Sequence, residues 1–559
     1  MLSFLGAGLL SLAATRQGAA QVLGGDGGTL PGQLRHPLEP AARCSECHAG
    51  ETDAQGNNYM AADTWQSSMM ANAARDPLFL ATLTVANQQA PGVGTFCLRC
   101  HSPSGFTAGR AVPPLGTGLD PVLGDADGVH CDTCHRSVVP TGASGPLLRN
   151  AQLYFQDAPE GELPPRHGPR SDPFQSPRHP SVGSAFVRDS RLCGQCHDVD
   201  HPTQNRLDPR DGRDTGARFP LQSTYSEWAQ SDFARRANPE TCQSCHMPEV
   251  GGEPIPVTRI PGAPVRPGQR RHDFQGANEW GMALLRAAFP GENDEGFDAA
   301  RRQIQGYLRT AATVELIDPP RTAQAGATVQ LRVRVTNLSG HKLPTGYEDA
   351  RLMWLQVQVG DRVVSGAYAN DELVEDGQAR IYRFEPGHYA DGRVTRSDFV
   401  VAHDTVLEDT RIPPLGMMPD DRTRPVGRDY SGGPGGALRN YDEATFALPM
   451  PAAGGAVPIT VRLLYRTTTR HYVEAIAGAN TTDDRGRTLT QLFNATGRAA
   501  PFTMTTATAS IAVTGGAPAD EGGASCAARP SPATHPAALS LGALGLALVA
   551  RRRRNKLRR

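Results

Sequence analysis

The sequence predicts an α+β protein whose first half is loop-rich and mostly helical and whose second half is an antiparallel β-sandwich. Three observations predict it. Residues 44–246 repeat C-x-x-C-H five times, at Cys44–His48, Cys97–His101, Cys131–His135, Cys193–His197 and Cys242–His246. The segments between the repeats hold only short apolar stretches at helical spacing, in a chain with 60 Gly and 46 Pro. Past residue 327 the period changes: Val329, Leu331, Val333 and Val335 alternate with Gln330, Arg332 and Arg334, the pattern of a half-buried strand.

Each element follows from local chemistry. Residues 1–22 hold the apolar run Leu2–Ala14 followed by small residues, which reads as a secretory signal peptide. Residues 33–290 form the motif domain, with helices expected at 64–74, 76–88, 225–236 and 279–289; Asp76-Pro77 is a helix start. Residues 291–311 carry Phe297, Ala300, Ile304 and Leu308 at helical spacing and make a connecting helix. Residues 312–514 are the β-sandwich domain, with strands expected at 327–337, 351–359, 379–384, 398–402, 443–448, 458–466 and 504–514, separated by Gly- and Pro-rich turns. Residues 515–536 have linker composition. Residues 537–559 are a tail: an apolar run of 14 residues, Ala537–Ala550, and then seven basic residues in Arg551–Arg559. The run is short of the roughly 20 residues of a full membrane span, and the basic block favours the cytoplasmic side.

C-x-x-C-H is the attachment signature of c-type haem. The two thiols add to the haem vinyl groups and the adjacent His takes the proximal position on the iron. The covalent set is therefore Cys44, Cys47, Cys97, Cys100, Cys131, Cys134, Cys193, Cys196, Cys242 and Cys245, and the proximal set is His48, His101, His135, His197 and His246. Zinc knuckles do not require a His directly after the second Cys in every copy, and a disulfide framework predicts none. The motifs use all but one of the 11 Cys; the exception is Cys526. Aromatics are only 6% of the chain, and five flat apolar haems would supply the missing core. Covalent haem is attached outside the bacterial cytoplasm, so the cysteines point to the periplasm or cell surface. A net charge of −1 leaves no global field for steering to nucleic acid. The basic residues are Arg except for Lys342 and Lys556, which a GC-rich genome explains.

Each iron has a sixth position. Filled by His or Met, the haem carries electrons; left open, it binds and transforms a small molecule. Of 16 His, five are proximal and eleven remain. His272 and His179 are the best placed in sequence; His36 and His201 are further candidates, and each has a surface or hydrogen-bonded role as its alternative. His130 abuts Cys131, a poor geometry for ligating its own haem.

The motif region resembles the bacterial multihaem cytochrome c family, of the cytochrome c-554-like type. Members carry a W-x-x-S-x-H-A element whose His is a distal ligand. Here it reads Trp65-Gln-Ser-Ser68-Met69-Met70-Ala71, with Met70 at the ligand position: a thioether ligand, or a packing residue. A second such element, from Trp228 to Ala234, has Phe233 there, and Phe cannot ligate. Arg271-His272-Asp-Phe274-Gln-Gly-Ala-Asn278 is similar to the family's R-x-H-x-F-x-G-x-N, whose His is distal. Gly128-Val129-His130-Cys131, Cys242–Pro248 and Asp409–Pro414 look like further family elements. Gly340-His341-Lys-Leu-Pro-Thr-Gly346 resembles the G-H-x-L-P-T-G loop by which a C-terminal β-domain lends an axial His to the haem domain, which implies that role for His341. The tail around Cys526 resembles myxobacterial-type C-terminal sorting signals, implying display at the outer surface; a weak membrane anchor and a disordered tail are the alternatives.

The expected function is a pentahaem c-type cytochrome in extracytoplasmic electron transfer. It would hold five covalently attached haem c groups and exchange electrons with redox partner proteins or an extracellular acceptor. It would bind no nucleic acid, and would reach the membrane through its tail. The alternative is an oxidoreductase with one open-coordination haem acting on a small nitrogen or sulfur compound. The β-domain is expected to brace the haems, or else to bind a partner or surface polymer.

Overall fold

Four of the five C-x-x-C-H motifs lie at the C-terminal end of a short helix, and the first half of the chain is built around that fact. The computed structural model describes residues 27–145, 147–251 and 254–515. The expected signal peptide and the expected C-terminal tail, with Cys526 and the apolar run, lie outside the described residues. Helix α1 (Ala41–His48) holds the first motif; α2 (Ala61–Trp65), α3 (Pro77–Gln89), α4 (Gly94–His101), α5 (Pro103–Thr107), α6 (Cys131–His135), α7 (Ser190–Gly194), α8 (Thr224–Ala229), α9 (Asp232–Arg235) and α10 (Cys242–His246) follow. Four motif helices end on the motif His, whereas α7 stops at Gly194 and leaves His197 in the turn beyond it. Spacings of three and four residues place the Cys pair and the His on one helix face.

Two expected helices are shorter than the sequence pattern implies, for one physical reason. Beyond Trp65 the chain turns, because Ser68 Oγ accepts from Ala71 N at 3.1 Å and Asn72 Nδ2 donates to the Ser68 carbonyl at 2.8 Å. The 225–236 stretch breaks between α8 and α9, where Ser231 Oγ donates to the Trp228 carbonyl at 2.7 Å. Polar side chains that bond the nearby backbone offer it an alternative to continuous helix. Helix α3 forms as expected: Asp76 caps it by accepting from Leu78 N at 2.9 Å, with Pro77 as the first helical residue. A hairpin of β1 (Val199–Leu207) and β2 (Asp214–Gln222) carries no apolar alternation and had no sequence signal.

Helices α11 (Glu279–Ala288) and α12 (Asp294–Leu308) lead into the strands. Strands β3 (Ala312–Ile317), β4 (Thr322–Gln324), β5 (Thr328–Asn337), β6 (Leu352–Val359), β7 (Arg362–Ser365) and β8 (Arg380–Tyr382) come first. They are followed by β9 (Phe384–Ala390), β10 (Arg393–Arg396), β11 (Thr405–Asp409), β12 (Tyr441–Pro449), β13 (Gly455–Arg466) and β14 (Phe502–Thr514). One sheet runs β4-β14-β13-β6-β7, with β8 also on β6; a second runs β12-β5-β3; a third runs β10-β9-β11. All these pairings are antiparallel except β4 with β14. Val333 faces Ala444 on one side and Leu316 on the other, which sets the register of β5. Segment 398–402 is not a strand: Val400–Ala402 is a 3-10 turn, and the strand pairing there falls instead to Phe384–Ala390, Arg393–Arg396 and Thr405–Asp409.

The apolar faces of the first two sheets meet in one core with Leu331, Val333, Leu355, Val357, Ile459, Val461 and Phe446. Met282 and Leu285 of α11 and Phe297, Ile304 and Leu308 of α12 close that same core. Within the stretch expected to be all β, two helices appear, α13 (Arg470–Ala479) and α14 (Arg485–Ala495). They bury Tyr472, Val473, Ile476, Leu489 and Phe493 against Ala81 and Val85 of α3 and Trp280 of α11. The strand half thus grips the motif half through helices. Among the described residues no helix is long and apolar enough to cross a membrane.

Candidate haem-binding sites

The motif imidazoles are held by one of their two nitrogens. Nδ1 of His48 meets the Val257 carbonyl at 2.8 Å, that of His101 the Ala73 carbonyl at 3.0 Å, and that of His135 the His167 carbonyl at 2.7 Å. His246 Nδ1 bonds the Gln275 carbonyl. A His that donates Nδ1–H to a carbonyl presents a lone pair on Nε2, the arrangement that orients metal-ligating imidazoles. His197 differs: its Nδ1 neighbour is the Gln222 side-chain amide at 3.4 Å. Burial lowers the pKa of His48 and takes those of His101 and His246 to about 4, so these rings stay neutral. Neutral imidazole is the form that binds metal. Phe79 lies flat on the His101 ring at 3.6 Å, and Tyr307 of α12 presents its edge to His246 at 5.6 Å.

Two motif rings face a second imidazole. His272 stands across from His135 with ring centroids 6.3 Å apart, and His341 stands across from His246, also at 6.3 Å, tilted by only 14°. A metal ion sits about 2 Å from a ligating nitrogen, so two imidazoles sharing one ion stand roughly 6 Å apart between centroids. The observed separations match that sum. Both partner rings are held as the motif rings are: His272 Nδ1 on the Arg270 carbonyl at 3.1 Å, and His341 Nδ1 on the Lys342 carbonyl at 3.0 Å. Burial takes the pKa of His272 to about 4 and lowers that of His341.

The elements that deliver these two rings are rigid. Thr64 Oγ1 accepts from His272 N at 2.8 Å, and Arg271 pairs with Asp273 at 2.6 Å. Phe274 has φ +46°, a strained value for an aromatic residue, and sets its ring edge-on to His272. The His341 loop hangs between β5 and β6. Asn337 Nδ2 ties the His341 carbonyl to the Ile412 carbonyl at 2.8 and 2.9 Å, and Leu343 and Ile412 exchange backbone bonds at 3.0 Å. A Cβ on Gly340 would meet Trp228 at 3.2 Å and Phe233 at 3.4 Å. Phe233, which cannot ligate, therefore packs against the loop that carries His341.

The remaining candidates are placed as follows. His179 is half-buried, bonds the Pro180 carbonyl through Nδ1 at 3.1 Å, and is near enough to His48 to disfavour its protonation. His36 is oriented by Asp157 through Nδ1 at 2.8 Å. Met70 is half-buried in the turn after α2, where its carbonyl accepts from Val129 N at 2.9 Å. His201 is set otherwise: it is 2% exposed, its Nδ1 accepts from Gln204 N at 2.8 Å, and it lies near His403. Because two backbone N–H groups, of Thr203 and Gln204, donate to its Nδ1, the His201 ring carries its proton on Nε2 and offers no free lone pair. Among the described residues no imidazole stands across from His101 or His197 at the separation seen for His135 and His246.

The thiols converge between motifs rather than within them. Cys44 lies beside Cys131, Cys100 beside Cys196, and Cys193 beside Cys242. Cys134 lies close enough to Cys193 and Cys196 to raise their pKa. The motifs thus make one connected array: first to third, third to fourth, second to fourth, fourth to fifth. Apolar side chains surround it; Leu38, Ala151, Leu153 and Phe155 pack on Cys100 and Cys196. All ten motif thiols are free. Paired thiols, imidazoles anchored through Nδ1 to a backbone carbonyl and an apolar surround fit a covalent haem at four of the motifs; the fourth motif offers the same thiols and a His whose Nδ1 meets the Gln222 amide. The carbonyls of Ala73, Val257, His167 and Gln275 were not foreseeable, since a backbone acceptor has no signature in sequence; Phe79 and Tyr307 read as core residues of amphipathic helices.

No protein family and no curated protein matches this chain. Among solved structures, the chain is similar to a penta-heme cytochrome c552 from Thermochromatium tepidum, with a TM-score of 0.47 and 17% identity over 85% of this chain and 100% of that one. It also overlaps the sporulation control protein Spo0M of Bacillus subtilis, with a TM-score of 0.11 and 11% identity over 27% of this chain and 42% of that one.

Proposed function

We propose that this chain is a pentahaem c-type cytochrome that transfers electrons outside the cytoplasm. The observation that carries the reading is the pair of opposed imidazoles, His135 with His272 and His246 with His341, each at 6.3 Å. Both pairs are built on C-x-x-C-H motifs whose thiols adjoin another motif. A bound haem supplies one-electron chemistry at iron. The residues do the rest: ten Cys fix five groups covalently, His48, His101, His135, His197 and His246 hold the proximal side, and His272 and His341 close two distal sides. His179 serves the first motif. The strand half acts as a β-sandwich brace that donates His341. Export through the N-terminal signal peptide, sorting or anchoring through the Arg-rich tail, and electron exchange with redox proteins or an extracellular acceptor complete the proposal.

A second reading has a specific observation behind it. His197 is the most exposed of the motif imidazoles and has no opposed ring among the described residues. An open position there would make the protein a haem oxidoreductase for a small nitrogen or sulfur compound. The deciding experiment is electron paramagnetic resonance with magnetic circular dichroism on the intact oxidised protein, with haem quantified in the same sample. Five low-spin haems support the carrier; one high-spin haem that responds to nitrite, hydroxylamine or sulfite supports the enzyme; fewer than five covalent haems defeat both.

A further inference from the structure

Behind the His341 loop lies a buried cluster of five charged side chains that ligation does not require. Arg411 is at its centre. Its guanidinium meets Asp409 at 2.8 Å, Glu227 at 2.9 Å and Glu348 at 3.1 Å. Lys342, the residue after His341, meets Asp409 at 2.6 Å. None of the five side chains is more than 5% exposed. Among these five side chains the carboxylates outnumber the cations by one, in a buried site. A surplus buried charge is costly, and a proton removes it.

The cluster is wired to two of the motifs. Glu227 accepts from the Lys342 backbone N at 3.1 Å, directly after His341. Glu227 also accepts from Thr345 Oγ1 at 3.1 Å, Thr345 meets Thr224 Oγ1 at 2.9 Å, Gln222 Nε2 reaches Thr224 at 3.4 Å, and the same amide touches His197 Nδ1 at 3.4 Å. That chain of hydroxyls and amide runs from the buried carboxylates to the exposed rim of the fourth motif. Glu348 itself faces Arg411, Glu227 and Asp409, and accepts from Ser223 N at 3.0 Å. Burial holds the Glu348 carboxyl well above the usual range; Glu227 and Asp409 push the same way and Arg411 opposes them. Asp409 goes the other way: burial works to raise it, but Arg411 and Lys342 hold it below its ordinary value.

We propose that this cluster is a redox-linked proton acceptor, in which Glu348 takes one proton from solvent when the iron between His246 and His341 is reduced and returns it on oxidation. The proposal rests on the haem reading above. The balance is one electron from a one-electron donor protein, taking iron from ferric to ferrous, with one proton from water neutralising the surplus carboxylate. Reduction removes a positive charge beside the cluster and so tightens its hold on the proton. The midpoint potential of that haem therefore falls as pH rises through the titration of Glu348.

The test is a spectroelectrochemical titration of the full haem-loaded chain on both sides of neutrality. One haem in wild type shows the falling potential, and Glu348→Gln abolishes that slope while haem content and low-spin spectrum stay unchanged. Redox-difference infrared spectroscopy on wild type gives an answer even where the variant does not fold: a protonated-carboxyl band, shifted in D2O, appears on reduction. Midpoints that ignore pH, a slope that persists in Glu348→Gln, or no carboxyl band each overturn the proposal. A His341→Ala variant separates the two levels. If it makes one haem high-spin yet wild-type potentials ignore pH, only the proton role fails; if it leaves every haem low-spin, the haem assignment fails as well.

Discussion

Single imidazoles carry the sharpest expectations. His272→Ala and His341→Ala should each convert one low-spin haem to high spin, because each ring stands 6.3 Å from its motif ring, the separation of two imidazoles that share one metal ion. His201→Ala should leave the spin state alone, since its Nδ1 is occupied as an acceptor. Electron paramagnetic resonance on the three variants checks all three outcomes. A pH effect belongs to Asp76. Burial raises its carboxyl to about 6 while backbone bonds to Leu78 and Phe79 pull it down. An acid whose pKa is higher folded than unfolded weakens the fold as pH rises from about 4 through 6. Asp76→Asn keeps the cap without the charge, so its stability relative to wild type should rise across that window, read by urea titration at each pH.

At the scale of elements, caps and close approaches decide what the chain does. Asp76→Ala removes the cap of α3 and should cost about 1 kcal/mol in a denaturant titration. Gly340→Ala should displace the His341 loop, because the added Cβ would press on Trp228 at 3.2 Å. The expected readout is a fraction of high-spin haem with the spectrum of the haem that turns high-spin in His341→Ala. The C-x-x-C-H helices need no tertiary help to be recognised, since thiols and imidazole share one turn. The hairpin of β1 and β2 was invisible because its strands are polar and its pairing is irregular. Helices α13 and α14 were missed inside a β-rich stretch because their apolar stripes serve α3 and α11, not the sheets.

Over the whole molecule, the two halves share structure. Ile304 and Leu308 of α12 lie in the same core as the sheet residues Leu331 and Leu355, and α13 and α14 pack on α3. Ile304→Ala should cost about 2–5 kcal/mol. It should also shift the loss of strand signal and the change in the haem absorption band together. Following far-ultraviolet circular dichroism and the haem band in one denaturant series tests this; two separated transitions would mean that the halves unfold independently. The sequence by itself determined the five motifs with their thiols and imidazoles, the change from helical to strand patterning and most core strands. All of these rest on residues within a few positions of one another, where backbone geometry alone fixes the arrangement. Only the tertiary structure decided which imidazole meets which: His272 comes to His135 and His341 to His246 across long stretches of chain. It alone also gathered Glu227, Lys342, Glu348, Asp409 and Arg411 around one buried guanidinium. Such meetings depend on how the loops close over the packed core, and no local pattern encodes that closure.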